Sequence, residues 1–181
     1  GQVGGAVAMN AGSHGVTMDD RLVRVRIWTP TGGARWLARG QWTAGYRLFR
    51  PVETGQGEEA GLFVVLAAEL DLARAAPEEI GAAMRGWFER KKAVQPVTAA
   101  SAGCCFKNPP GESAGRLLDL AGFRGRRLGD MAFSELHANF LVNLGRGTCR
   151  QAWELIDLAR REALRRFGLD LQLEVKTCPC P

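Results

Sequence analysis

Apolar and polar residues alternate along parts of the first half of the chain. Val23, Val25 and Ile27 alternate with Arg24 and Arg26, which is the period of a half-buried β-strand. The run from residue 62 to residue 70 is more continuously apolar and predicts a more buried strand. Together with frequent glycine, this pattern predicts that the first part of the chain consists mainly of strands and turns.

A helical period begins at Pro77. Proline followed by Glu78 and Glu79 is typical of a helix start, and we place a domain boundary just before it. The apolar residues of this helix share one face: Ile80, Ala83, Met84 and Trp87.

Two further helices and a final strand are predicted downstream. Residues 113–120 can form a short helix that ends near Gly122, and Thr148 can cap a longer helix that ends at Gly168. The apolar stripe of the longer helix is Ala152, Leu155, Ile156, Ala159, Ala163 and Phe167. Residues 171–176 alternate as a last strand. The order of these elements predicts an α+β fold in two layers.

Composition indicates a globular protein. The chain has 181 residues, of which 46% are hydrophobic and 24% are charged, so it can bury a real core. The longest apolar run, residues 62–68, is far shorter than the roughly 18 residues of a membrane-spanning helix, and we expect a cytoplasmic protein without membrane contact. The formal net charge of +5 would suit nucleic acid, but the basic residues are spread along the chain. We therefore expect no nucleic-acid partner, and solvated surface or a phosphorylated small molecule explains the charge equally well.

The five cysteines indicate neither a disulfide framework nor a metal site. Cys104, Cys105, Cys149, Cys178 and Cys180 are odd in number and include no CxxC pair. Cys178 and Cys180 form a two-cysteine tail that lacks further ligands, so no metal is expected.

The opening stretch GQVGGAVAMNAGSHG is rich in small residues. Gly4, Gly5, Ala6 and Ala8 would let a backbone approach a ligand closely, and successive N–H groups in such a loop can bind an anion. The alternative is a segment that only packs tightly. The spacing is not GxGxxG, so the stretch does not support a Rossmann fold.

Six segments, in order, resemble one enzyme family. They are GQVGGAVAMNAGSHG, AGYRLF at 44–49, KKAVQP at 91–96, SAGCCFKNPPGESAGRLLDLAGFRG at 101–125, SELHANFLVN at 134–143 and LQLEV at 171–175. Together they resemble UDP-N-acetylenolpyruvoylglucosamine reductase, also called UDP-N-acetylmuramate dehydrogenase. The resemblance implies a flavoenzyme of peptidoglycan synthesis, in which FAD takes a hydride from NADPH and passes it to UDP-N-acetylglucosamine enolpyruvate. NADPH follows from the resemblance alone.

The resemblance also implies a domain organisation. Residues 1–76 correspond to the second subdomain of the FAD-binding domain, and residues 77–181 to the substrate-binding domain, with a last strand that can return towards the first domain. Gly1 falls inside the family's glycine loop, so we expect that a preceding FAD-binding subdomain of roughly a hundred residues is missing from this sequence. The chain would then be a fragment, a cleaved product or part of a split enzyme whose N-terminal half is a separate partner, or it would have lost the cofactor. Alone, the chain is then expected to hold FAD weakly and to be inactive.

Three residues carry the chemistry that the resemblance implies. Arg47 corresponds to an arginine that holds the substrate carboxylate, and Glu174 to a glutamate that polarises the substrate. Cys104 stands where the family usually has serine as the proton donor, and a thiol is a stronger acid than a hydroxyl. Since neighbours in an extended segment point to opposite sides, Cys105 should face the core. From the residues alone, a surface ion pair is the preferred interpretation of Arg47, and an exposed strand carboxylate that of Glu174.

The resemblance implies two further sets of contacts. The FAD contacts are Gly4, Gly5, Ala6, Val7, Asn10 and Gly12. The substrate contacts are Tyr46, Lys107, Asn108, Arg124 and His137. A structural role is an equal alternative for His137, and His14 stays unassigned. Asp130 replaces a glycine that is usual in the family, which leaves the conformation of that turn open.

Two functions follow from these observations. In the first, the chain is the substrate-binding and catalytic portion of the flavin reductase. In the second, it is a non-catalytic UDP-sugar-binding fragment that needs a separate N-terminal half for activity. Arg47, Cys104 and Glu174 favour the first, because a bare binding module has no use for a proton donor.

Overall fold

A computed structural model describes residues 2–13, 15–52 and 62–176 of the chain. His14, Cys178 and Cys180 lie outside the described residues. The chain divides into two compact units, Gly1–Ala75 and Ala76–Pro181, and each is treated on its own below. Both contain helices and strands, and the predicted α+β class is confirmed.

The first unit is built mainly from antiparallel strands. Its elements are α1 (Val3–Ala8), β1 (Gly12–Ser13), β2 (Val16–Thr17), a 3-10 turn (Asp19–Arg21), β3 (Leu22–Thr29), β4 (Gly33–Ala38), β5 (Trp42–Gly45), β6 (Leu48–Pro51) and β7 (Val64–Leu70). The main sheet has the order β4-β3-β7, while β1-β2 and β5-β6 are separate hairpins. The core consists of Val7, Leu22, Val25, Ile27, Leu37, Trp42 and Phe49.

The alternation in β3 is confirmed with one exception. Val25 and Ile27 are buried, but Val23 is exposed because the register with β7 shifts between Leu22 and Arg24. The prediction of a more buried strand at residues 62–70 is wrong. Only alternate residues of β7 approach the core, and Val64 and Leu66 on its other face are exposed.

The glycine-rich opening is a short helix, not a loop. Residues Val3–Ala8 form α1, and the N–H of Ala6 donates to the carbonyl of Gln2 at 3.1 Å. Val7 is fully buried and anchors α1 in the core of the first unit. Only beyond the helix does the backbone turn left-handed, at Asn10 with φ of 40°.

The second unit places helices around a four-stranded antiparallel sheet. Its elements are α2 (Pro77–Val94), β8 (Ala100–Cys104), α3 (Ala114–Leu120), β9 (Arg127–Leu128), β10 (Met131–Phe133), β11 (Phe140–Asn143) and α4 (Cys149–Phe167). The strand order is β8-β11-β10-β9. Residues of α3, α4 and the sheet share one core, whose largest fully buried side chains include Phe106, Phe123, Phe133, Leu118, Leu155 and Leu171.

The predicted helix ends are confirmed. Pro77 occupies the first turn of α2, and the Ser113 hydroxyl accepts a hydrogen bond from the N–H of Arg116 at the start of α3. Thr148 and Gln151 form a capping box at α4, which ends at Gly168 with φ of 67°. No residue of α2 is buried, and Met84 on its apolar face is 66% exposed. None of the helices described has the length and apolar character needed to cross a bilayer.

Two expectations concerned local structure: the last strand and the turn that contains Asp130. The predicted last strand, residues 171–176, makes only a single bridge between Leu173 and Phe106. The turn that contains Asp130 connects β9 to β10, and its left-handed φ of 57° falls on Gly129. Asp130 therefore does not need the conformational freedom of glycine, and its carboxylate accepts a hydrogen bond from the N–H of Arg146 at 3.0 Å.

Candidate active site

Cys104 ends strand β8, and Cys105 follows it into the core. Cys104 is partly exposed and pairs with Phe140 of β11, whereas Cys105 is 1% exposed. The two neighbours therefore point to different environments, as the sequence predicted. Burial raises the pKa of the Cys105 thiol to about 12, so this side chain stays protonated. Of the pair, Cys104 is the one that a substrate can reach.

Asn139 holds the segment that follows Cys104, and the sequence analysis assigned it no role. It is 1% exposed, its side-chain NH2 donates to the carbonyl of Phe106 at 2.8 Å, and its side-chain oxygen accepts from the N–H of Phe106 at 2.9 Å. Its main-chain carbonyl accepts from the N–H of Cys105 at 2.7 Å. A buried asparagine thus satisfies the main chain where no strand continues. The only sequence signal was its position in the motif SELHANF.

Glu174 lies beside the same segment. Its N–H donates to the carbonyl of Cys105 at 2.8 Å, and the N–H of Lys107 donates to the carbonyl of Gln172 at 2.8 Å. These bonds align residues 172–175 with residues 105–107. Cys105 and Glu174, which are nearly seventy positions apart in sequence, are thereby brought together. The Glu174 side chain is half-buried. The second unit therefore places a carboxyl-bearing residue next to the strand that carries the Cys104 thiol.

Arg47 lies in the hairpin turn between β5 and β6. The register Gly45↔Leu48 leaves Tyr46 and Arg47 as the turn, and Arg47 has a left-handed φ of 55°. Few residues other than glycine adopt this conformation, and such positions occur at functional sites more often than elsewhere. The Arg47 guanidinium lies over the Tyr46 ring, 5.0 Å from its centroid. The contact restricts the arginine while leaving it half-buried.

Lys107 and Asn108 lie in the loop between β8 and α3. Lys107 is half-buried and Asn108 is exposed. The Asn108 side-chain oxygen accepts from the N–H of Ala114 at 3.0 Å, which connects this loop to the start of α3. Both residues follow Cys104 closely in sequence, and hydrogen bonds hold their loop in place.

Arg124 and His137 make contacts within the second unit. The Arg124 guanidinium donates two hydrogen bonds to the Asp119 carboxylate, both at 2.6 Å, and further bonds to the carbonyls of Glu135 and Leu136. Its bond to Asp119 raises the pKa of Arg124 and lowers that of Asp119. This arrangement connects α3 to the turn before β11.

His137 belongs to that turn. Its Nδ1 accepts from the N–H of Asn139 at 3.2 Å, and its ring packs edge-on against Phe140. Desolvation lowers the pKa of His137, and the nearby Arg124 adds to the effect. Gly115 is required next to it, because a Cβ there would lie 2.8 Å from the imidazole. These contacts support the alternative that His137 has a structural role.

Comparisons with known proteins identify the family. The profile of the C-terminal domain of UDP-N-acetylenolpyruvoylglucosamine reductase matches residues 95–178. The chain is 36% identical to a Bacillus licheniformis protein named UDP-N-acetylenolpyruvoylglucosamine reductase, over 97% of this chain and 92% of the relative. The chain belongs to the UDP-N-acetylenolpyruvoylglucosamine reductase family.

A second relative and a solved structure agree with this identification. The chain is 50% identical to the UDP-N-acetylenolpyruvoylglucosamine reductase of Nitratidesulfovibrio vulgaris, over 97% of its own length and 58% of the relative. A crystal structure of UDP-N-acetylenolpyruvylglucosamine reductase from Thermus caldophilus superimposes with a TM-score of 0.77 at 36% identity, covering 98% of this chain and 60% of that one. The chain thus spans somewhat more than half the length of these two reductases, and the family resemblance is confirmed.

The reductase family implies FAD, and part of the glycine-rich opening fits such a group. A Cβ on Gly5 would meet nothing within 4 Å, and Gly12 is exposed, so backbone at both positions is accessible. Val7 and Asn10 are instead buried. The Asn10 side chain donates to the carbonyl of Gly45 at 3.0 Å and accepts from the N–H of Asp19 at 2.9 Å. Of the six expected contacts, Gly5 and Gly12 have accessible backbone, whereas Gly4 packs against Val65 and the Ala6 N–H is donated to Gln2 within α1. Contact of these residues with FAD remains a prediction.

The expected site residues of the chain divide between the two units. Cys104, Lys107, Asn108, Arg124, His137 and Glu174 belong to the second unit. Arg47, Tyr46 and the six expected FAD contacts belong to the first. The convergence of Arg47 with Cys104 and Glu174 remains a prediction.

Proposed function

We propose that this chain is the substrate-binding and proton-donating portion of a UDP-N-acetylenolpyruvoylglucosamine reductase. Joined to the part of the enzyme that it does not cover, it takes part in the NADPH-dependent, FAD-mediated reduction of UDP-N-acetylglucosamine enolpyruvate to UDP-N-acetylmuramate. The reaction serves peptidoglycan synthesis, and its nucleotide-sugar substrate is consistent with a site in the cytoplasm. The observation that carries the proposal is the partly exposed Cys104, at the end of β8 and beside Glu174, in a chain that belongs to this family.

Cys104 supplies the proton in this proposal. FAD, when bound, supplies the hydride that adds to the methylene carbon of the enolpyruvyl group. Electron density then collects on the neighbouring carbon and its carboxylate as an enolate, and the Cys104 thiol protonates that carbon. Because an ordinary thiol has a pKa of about 8.5, it is protonated at neutral pH and more acidic than the usual serine. The resulting thiolate takes its proton back from solvent before the next turnover.

Arg47 and Glu174 manage the charge that develops on the substrate. A guanidinium presents paired donors that match a carboxylate, so Arg47 binds the enolpyruvyl carboxyl group and stabilises it as negative charge builds up. Because the Arg47 guanidinium already lies over the Tyr46 ring, the side chain loses less conformational freedom when it binds the substrate. Glu174, held by its N–H bond to Cys105, polarises the enolpyruvyl group from the donor side.

The remaining residues recognise the nucleotide sugar. Lys107 and Asn108 offer a cation and an amide on the loop after Cys104, which suits a diphosphate. Tyr46 contributes an exposed ring next to Arg47. Since Arg124 and His137 hydrogen-bond within their own unit, we assign them a part in shaping the substrate wall. The accessible backbone of Gly5 and Gly12 contributes to holding FAD.

The test is a fusion of this chain to the part of the Nitratidesulfovibrio vulgaris relative that it does not cover. The fusion should bind FAD and should oxidise NADPH steadily only when UDP-N-acetylglucosamine enolpyruvate is present. Cys104→Ala should abolish reduction of the sugar while leaving reduction of the flavin by NADPH intact, and Cys104→Ser should restore turnover. Cys149→Ala is the matched control and should behave as the parent.

Two results would contradict the proposal in different ways. Equal loss of both half-reactions in Cys104→Ala would remove this residue from the donor role. Tight binding of the nucleotide sugar by a correctly folded, flavin-loaded fusion without any turnover would instead favour the non-catalytic binding fragment.

A further inference from the structure

A cavity that is open to solvent on one side lies within the second unit, against the strand that carries Cys104. It has a volume of about 340 Å³ and is lined by β8, β11, the first turns of α4 and the end of the described chain. At about 30 Å³ per water molecule, this space holds on the order of ten water-sized groups. Cys105 lines the cavity and Cys104 does not. It therefore borders the strand of the proposed proton donor without including the Cys104 side chain.

The walls of this cavity are almost entirely apolar. Met131, Leu141, Trp153, Ile156 and Val175 supply the large side chains, and alanines of β8 and α4 supply the small ones. No aspartate or glutamate is among the described residues that line it. A small apolar pocket of this type binds ligands by burying hydrocarbon.

Several polar groups in the lining already have roles, and Cys149 at the start of α4 adds an exposed thiol. Ser101 accepts a hydrogen bond from the N–H of Gly103, and Asn143 bonds to the loop at Gly145 and Gly147. Burial keeps the Cys105 thiol neutral. Lys176 is exposed and is the cation among the described lining residues. The cavity thus combines an apolar interior with one positive charge at its edge.

We propose that this cavity binds an apolar monocarboxylate of about ten non-hydrogen atoms, with its hydrocarbon inside and its carboxylate at Lys176. Octanoate has this size and charge and serves as the probe. Octan-1-ol has the same chain without the charge. The two ligands separate the apolar contribution from that of the lysine. The proposal does not depend on the reductase function, since binding is measured on the 181-residue chain itself.

The experiment compares the two ligands by calorimetric titration. A ligand of this size should bind with a Kd on the order of 1 mM. Lys176→Gln should weaken octanoate about fivefold, which is typical of losing an exposed ion pair, and should leave octan-1-ol unchanged. Lys91→Gln, on the exposed surface of α2, is the matched control and should change neither ligand.

A second variant and a spectroscopic signal locate the ligand. Ala152→Leu fills the cavity from α4 with a residue of similar helix propensity, so it should abolish binding of both ligands while the melting temperature is retained. Octanoate should also shift the NMR signal of the Trp153 indole N–H, identified through Trp153→Phe. Lys176→Gln, a change of an exposed side chain, keeps the test decisive if Ala152→Leu does not fold.

Three outcomes would overturn the proposal. The first is no saturable octanoate binding at concentrations about tenfold above the expected Kd. The second is an equal effect of Lys176→Gln on octanoate and octan-1-ol. The third is octanoate binding that becomes about tenfold tighter when the chain is ended after Lys176, because the cavity would then be a packing space for the chain itself.

Discussion

Replacing Asn139 with alanine removes the side chain that holds the segment after Cys104. The Asn139 amide makes two hydrogen bonds to the main chain of Phe106, at 2.8 and 2.9 Å, and both residues are almost completely buried. Alanine offers neither donor nor acceptor, and water does not reach the N–H and carbonyl of a residue that is 0% exposed. The substitution therefore leaves two main-chain groups of Phe106 without partners.

The expected cost follows from these two groups. A buried polar group that loses its partner costs about 1–3 kcal/mol, so the two together cost about 2–6 kcal/mol. A domain is stable by only about 5–15 kcal/mol, so the second unit should lose a large fraction of its stability. Asn139→Asp keeps the acceptor but not the donor. Its loss of stability should be smaller than that of Asn139→Ala if the carboxyl group is protonated, and larger if a charged carboxylate stays buried.

Amide hydrogen exchange measures this effect where it occurs. The amides of Cys105 and Phe106 should exchange at least about thirtyfold faster in Asn139→Ala, which corresponds to about 2 kcal/mol. The Cys105 amide is informative because its own acceptor, the main-chain carbonyl of Asn139, is retained. Asn108→Ala removes an exposed amide and is the control, with a change of about 1 kcal/mol or less. Exchange of both amides within about threefold of the parent rate would refute the reasoning.

Three further predictions concern titration, reactivity and helix capping. Among the cysteines that the structure describes, iodoacetamide at about pH 8 should modify Cys149 first and Cys104 next, and should spare Cys105 until the chain unfolds, because burial raises the pKa of the Cys105 thiol to about 12; peptide mass spectrometry checks this, and early labelling of Cys105 would contradict it. Desolvation lowers the pKa of His137, so the unfolded chain binds that proton more tightly, and stability should fall as pH drops below about 6.5. Denaturant midpoints should show this dependence on pH in the parent and a flatter one in His137→Gln. Glu162 does not interfere, because its pKa is lowered to about 2 and its contribution to stability is lost only at pH below the ordinary value of 4.5. Thr148→Ala should cost about 1 kcal/mol in urea unfolding through loss of the capping box and Thr148→Ser should cost much less, and equal losses would contradict that role.

Much of the helical structure could be predicted from the sequence. The starts of α2, α3 and α4 depend on residues next to each other in the chain, such as Pro77, Ser113 and Thr148. The ends of α3 and α4 depend on single glycines, Gly122 and Gly168. The apolar stripe of α4 was predicted as well, because apolar residues at helical spacing share the one face that packs against the core. Local rules suffice where the interaction partners are local.

The strands show where such reasoning fails. Val23 follows the apolar alternation of β3 but is exposed, because a register shift against β7 changes which face it occupies. Residues 171–176 alternate like a strand yet form only one bridge, between Leu173 and Phe106. Register and pairing depend on residues far away in sequence, and periodicity alone does not contain them.

For the candidate site, the sequence by itself determined the kinds of group available: a guanidinium at Arg47, a thiol at Cys104, a carboxyl at Glu174 and the family to which they belong. Only the tertiary structure decided how far burial raises the pKa of the Cys105 thiol, that Glu174 lies beside the donor strand and that Arg124 is engaged by Asp119. The physical reason is that chemical identity resides in each side chain. Burial, pKa and contact arise only when distant segments pack together and exclude water.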